Sequence, residues 1–188
     1  MQKAISLSAA LFSMMVALAS MNANAADGTI TINGAVSDTT CSINGTAAGS
    51  SANVTATLPT VSASALASAG VTAGVSKLGD IQLQLTGCTG SATKAVAHFE
   101  NGSTVDQSSG NLINQALTQP ATNVQVRLLN SQMQPINILT NANNDVAVNG
   151  ASISAGAGNL NYFAQYYATG QAQPGAVNTM VQYSIQYQ

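Results

Sequence analysis

Val181-Gln182-Tyr183-Ser184-Ile185-Gln186-Tyr187-Gln188 alternates strictly between apolar and polar residues. A period of two places Val181, Tyr183, Ile185 and Tyr187 on one face of an extended chain, and the polar residues on the other. The period recurs outward from this stretch. Val124, Val126 and Leu128 alternate with Gln125, Arg127 and Leu129; Ile81, Leu83 and Leu85 alternate with Gln82 and Gln84 just before Cys88. Ala95, Ala97 and Phe99 face one way, Val96 and His98 the other. Val54 to Leu58 alternates again and stops at Pro59; Ile136 and Ile138 follow a turn at Gln134-Pro135; Phe163 to Tyr167 is aromatic and strand-like. Turn signals separate the runs, among them Asn44-Gly45, Asn101-Gly102, Asn149-Gly150 and Pro174-Gly175. Many short strands divided by such turns predict an all-β sandwich. One helical turn is expected within Ser62–Ala69, and the Ser/Ala/Gly/Thr-rich stretch 46–74 should hold loops, one strand and that turn.

The N-terminus reads differently. A short basic start at Lys3 precedes an apolar run from Ala4 to Ser20, and Ala23 and Ala25 supply a small-x-small pattern. This is the form of a secretory signal, residues 1–25, cleaved after Ala25. The mature chain would hold 188 − 25 = 163 residues, about one domain, and no later run is long and apolar enough to span a bilayer. Its cations would be Lys77, Lys94 and Arg127, against Asp27, Asp38, Asp80, Glu100, Asp106 and Asp145, a net charge of 3 − 6 = −3. So few cations would not neutralise a phosphate backbone, and nucleic acid is not expected as a partner.

Two cysteines, Cys41 and Cys88, would reach an oxidising compartment and bridge. Closing that loop is worth about 4 kcal/mol in the chain-entropy description. Two cysteines and one distant histidine are a poor metal set, and no cofactor is expected. Nor is an enzyme. The single histidine, His98, sits inside an alternating strand; the acids are scattered, and no nucleophile elbow, zinc-protease or phosphate-loop motif is present. Tyr162, Tyr166 and Tyr167 read as core or interface before they read as a sugar platform.

Asp27-Gly28-Thr29-Ile30-Thr31-Ile32-Asn33-Gly34-Ala35-Val36 is a second strict alternation, placed where an exported chain is often loose. Such a strand can fold onto its own domain or add to the edge of another, and periodicity does not choose. The chain resembles the type 1 fimbrial structural subunits of the chaperone–usher class. The likeness runs through Gly28 to Val36, Cys41, Leu58-Pro59-x-Val61, Leu66, Gly70, Ile81-x-Leu83-x-Leu85 with Cys88, Phe163 to Gly170, Pro174-Gly175 and Tyr183 to Gln188. Gln165 departs from the family, which often carries a basic residue there.

The resemblance implies an incomplete immunoglobulin-like sandwich completed by donor-strand exchange. Residues 26–40 would be the donor extension and 41–188 the pilin domain. Ile30, Ile32 and Val36 would fill a neighbour's groove, with Gly34 passing a shallow pocket. Val181, Tyr183, Ile185, Tyr187 and Gln188 would form the strand that a periplasmic chaperone contacts before the outer-membrane usher hands the subunit on. The expected role is the major shaft pilin of a homopolymeric surface fimbria that supports adhesion. A minor or adaptor pilin of the same fibre, or a self-contained secreted binding module, is the alternative.

Overall fold

The computed structural model describes residues 30–32, 34 and 36–188. The signal segment expected at 1–25 lies outside the described residues. The strands are β1 (Thr40–Ile43), β2 (Thr72–Val75), β3 (Ile81–Thr89), β4 (Lys94–Phe99), β5 (Leu112–Ile113), β6 (Val124–Leu129), β7 (Pro135–Ile136), β8 (Ala151–Ser152), β9 (Gly158–Ala168) and β10 (Tyr183–Tyr187). A 3-10 turn covers Ala63–Leu66, and a short α-helix, α1, covers Val146–Asn149. Ser62 starts the first with its hydroxyl accepting from the Ser64 N–H; Asp145 caps the second by accepting from the Ala147 and Val148 N–H groups.

Two sheets result. The larger runs β1-β3-β9-β6-β5, with β2 also paired to β9 and β7 to β6; the smaller runs β10-β4-β8. Every pairing between named strands is antiparallel, with registers such as Leu83 opposite Leu160 and Leu128 opposite Ala164. The alternation explains the core. Leu83 and Leu85 of β3, Val126 and Leu128 of β6, and Leu160, Tyr162 and Ala164 of β9 meet Ala95, Ala97 and Phe99 of β4. Phe99 and Tyr162 pack edge to face at 5.1 Å. A smaller cluster gathers Leu66, Ala121, Val124, Ala168 and Ala172 at one end. The Cys41–Cys88 disulfide joins β1 to β3, as expected, with Cα atoms 4.1 Å apart.

Two local expectations differ. Val54–Leu58 forms no strand: most of the segment is exposed and no neighbour pairs with it. The strand within 46–74 is instead β2, whose Gly74 sits at φ +60°, where a Cβ would lie 2.8 Å from Val61 Cγ1. That packing requirement is invisible in the alternation. Among the described residues of 30–36, none is paired in a strand.

Candidate functional site

β10 lies at the end of its sheet, paired with β4 alone. Gln188 exchanges both backbone bonds with Lys94, at 3.0 and 2.9 Å, and Gln182 O accepts from Glu100 N at 2.8 Å. In an antiparallel ladder this parity turns the N–H and C=O of Tyr183, Ile185 and Tyr187 toward the opposite edge. Among the described residues those three N–H groups have no partner. The far side of β4 is closed by contrast. Beyond β8, Ala97 N donates to Tyr162 Oη at 2.8 Å, and Ala97 O accepts from Asn144 Nδ2 at 2.8 Å. Burial pushes the Tyr162 hydroxyl up to about 12.

The side chains of the same three residues point into the sandwich yet stay half-buried against the core. The two tyrosines reach the N-terminal part of the domain. Tyr183 Oη donates to Ala52 O at 2.5 Å, and Tyr187 packs against the core cluster that includes Cys41. Burial raises both tyrosines above their ordinary value; at Tyr187 the nearby Cys41 backbone works in the opposite direction. Cys41 belongs to β1, itself the end of the larger sheet. Tyr187 thus lies toward the β1 edge of the larger sheet, Tyr183 reaches the loop at Ala52, and Ile185 sits between them. The result is an open, apolar, hydrogen-bond-hungry edge.

The remaining residues singled out by sequence fall as follows. Ile30, Ile32 and Val36 are 90%, 89% and 102% exposed, and nothing lies within 4 Å of a Cβ built on Gly34. Thr39, by contrast, is buried, its hydroxyl accepting from Ala92 N at 3.2 Å. Gln188 O accepts from Thr93 N at 2.6 Å as well as from Lys94 N. Tyr162 is a core residue, Tyr166 packs between the two clusters, and Tyr167 lies under the Arg127 guanidinium at 5.9 Å, so the three tyrosines build no common platform. Gln165 Oε1 accepts from Arg127 Nε and Nη2 at 3.0 and 2.7 Å; the cation of this cross-strand pair sits on β6. The Ala52 carbonyl was not foreseen: Ala52 precedes the run read as a strand, and only its contact with Tyr183 gives it a place at this edge.

The family model for the type-1 fimbrial protein FimA matches residues 58–188. The chain belongs to that family. This pilin is 44% identical, over 92% of its own length and 99% of the relative's, to the major fimbrial subunit SMF-1 of Stenotrophomonas maltophilia. It is 38% identical to the F17 fimbrial protein of Escherichia coli, over 93% and 95% of the two chains. Among solved structures, its fold is like that of a chaperone–usher pilus described for rod uncoiling, with TM-score 0.53, 20% identity, and 87% and 96% of the chains covered. It is also like a Burkholderia pseudomallei antigen and type I fimbria protein, with TM-score 0.50, 21% identity, and 79% and 95% covered. The pilin is therefore a structural subunit of a surface fimbria with an immunoglobulin-like sandwich, and its partners are neighbouring pilin subunits. The family is structural, not enzymatic.

Proposed function

We propose that this pilin forms the shaft of its fimbria by donor-strand exchange, the part of 26–40 that carries Ile30, Ile32, Gly34 and Val36 completing the sandwich of the next subunit, while buried Thr39 and β1-paired Thr40 stay with their own domain. The observation that carries the reading is a match of needs. β10 offers unpaired backbone beside half-buried Tyr183, Ile185 and Tyr187, while Ile30, Ile32 and Val36 form an alternating apolar set left exposed. β-augmentation meets both: backbone bonds hold the added strand and alternate side chains fill the strip. Gly34 shares the parity of the apolar set and has no side chain to place. An uncovered edge of this kind invites aggregation. A periplasmic chaperone would hold it through β10 and the C-terminal Gln188 until an outer-membrane usher replaces that contact. The high identity to a relative named as a major fimbrial subunit supports the shaft role over a minor one. In the assembled fibre, the subunit would contribute to cell adhesion.

Gly34→Trp tests the reading. The indole has open space in the subunit, but in the proposed junction it would have to fit the shallow pocket that glycine passes. The variant subunit should accumulate normally, and fimbriae sheared from the cells should give no heat-resistant ladder on a denaturing gel. A wild-type-like ladder would contradict the exchange, and loss of the folded subunit would place the segment within its own domain.

A further inference from the structure

The sequence holds Asn-Gly pairs at 33–34, 44–45, 101–102 and 149–150, the dipeptide in which a side-chain amide meets the least hindered backbone nitrogen. The reaction needs two freedoms. The Gly N–H must be able to lose its proton and attack, and the Asn Cγ must be able to turn toward it. The structure treats the three pairs of the sandwich unequally.

At Asn44 the side chain is held at both ends: Nδ2 donates to Gln82 O at 3.0 Å, and Oδ1 accepts from Gln84 N at 2.7 Å. At Asn149 the following Gly150 N–H is spent on Val146 O at 3.1 Å, and Asn149 Oδ1 accepts from Asp145 N at 3.1 Å. Asn101 and Gly102 are both exposed, and nothing lies within 4 Å of a Cβ built on Gly102. Gly102 N has no partner among the described residues. Both residues line an open hollow of about 230 Å³ between 100–104 and 180–182. Among the described residues the Asn101 amide is held by one side chain, the exposed Gln107: Oδ1 accepts from Gln107 Nε2 at 2.9 Å and Nδ2 donates to Gln107 Oε1 at 3.4 Å, whereas both bonds of Asn44 run to the β3 backbone.

We infer that Asn101–Gly102 is a site of spontaneous deamidation in the folded subunit. The deprotonated Gly102 nitrogen bonds to Asn101 Cγ, the Cγ–Nδ2 bond breaks and ammonia leaves, giving a cyclic imide. Water then opens the imide at either carbonyl, leaving aspartate or isoaspartate at position 101. The new carboxylate stands beside Glu100, whose Oε1 accepts from Ser184 Oγ of β10 at 2.8 Å. The full chain's formal charge moves from −2 to −3. Subunits would therefore gain negative charge with age at the start of the open edge.

The test is peptide mapping with isoaspartate detection on the purified full chain, held in mildly alkaline buffer and sampled over time. Of the three pairs in the sandwich, 101 should convert first, with Asn44 and Asn149 slower by roughly tenfold, since their hydrogen bonds run to backbone groups of β3 and α1, and not to one exposed side chain, and must open before they react. Gln107→Ala should speed conversion at 101. Gly102→Ala, which adds a methyl group in open space, should suppress it while leaving the fold intact. Equal rates at the three pairs, earlier conversion at 44 or 149, or a stable Asn101 would overturn the inference.

Discussion

Ile32→Asp separates the junction from the subunit, and its size can be worked out beforehand. Ile32 is 89% exposed in the subunit, so the change should alter subunit stability by no more than about 0.5 kcal/mol. If the side chain is buried in a neighbour, its loss removes about 1.5–3 kcal/mol of apolar burial. Desolvating the new carboxylate in an apolar strip raises the penalty further. Even the lower burial figure is about a tenfold change in the junction equilibrium, since about 1.4 kcal/mol is tenfold. Leu85→Ala is the opposite control. Leu85 is 0% exposed in the core, so truncation should cost the subunit itself about 2–5 kcal/mol. Two assays run together: thermal unfolding of the isolated subunit, and ladders from sheared fimbriae heated stepwise in detergent. Ile32→Asp should keep the subunit transition and lose the ladder, and Leu85→Ala should lower the transition. An Ile32→Asp subunit that unfolds like Leu85→Ala, or one that ladders like wild type, would refute the reasoning.

Tyr183→Phe deletes one bond to Ala52 O, worth about 0.5–1.5 kcal/mol, and should raise amide exchange in residues 52–58; unchanged exchange would show that the hydroxyl does not hold that segment. Asp106 accepts from the Ser108 side chain and from the Ser109 and Ser108 N–H groups, which lower its carboxyl from 3.8 to about 2. Its folded value is depressed, so its contribution to stability is full above 3.8 and fades as pH falls toward 2. Unfolding followed against pH should therefore show wild type and Asp106→Asn converging in that window, and a constant difference would discount the capped loop. Removing Tyr187 and Gln188 deletes the end of β10 and its bonds to Thr93 and Lys94, and should abolish co-purification with the chaperone; retained co-purification would move the chaperone contact elsewhere.

The body of the sandwich was legible because its strands bury one face each. The alternations at 81–85, 95–99 and 124–128 become β3, β4 and β6, and their apolar residues form the core. Asn and Gly punctuation marked the turns. β2 was not legible, because Thr72-Ala73-Gly74-Val75 has no alternation and is placed by the approach of Val61 and Tyr166 to Gly74. Val54–Leu58 failed in the opposite sense. Its pattern suits a strand, but pairing also needs a neighbour, which sequence period does not supply. At the edge itself, the face of Tyr183, Ile185 and Tyr187 was readable from period two. The direction of their backbone groups was not, since it depends on the register with β4.

The placement of β10 at the end of its sheet has a consequence for growth. Under the proposed exchange, a subunit with one such open edge and one exposed apolar segment carries two unlike surfaces, one that receives and one that gives. Contacts between unlike surfaces are heterologous, and if the rotation between copies does not close, they extend without limit. The assembly is then unbranched and has direction: each copy has one successor and one predecessor. Its two tips differ chemically, one presenting a bare acceptor edge and the other an unspent segment. Length is set by whatever occupies a tip, so a single capping chain of either kind would stop the filament.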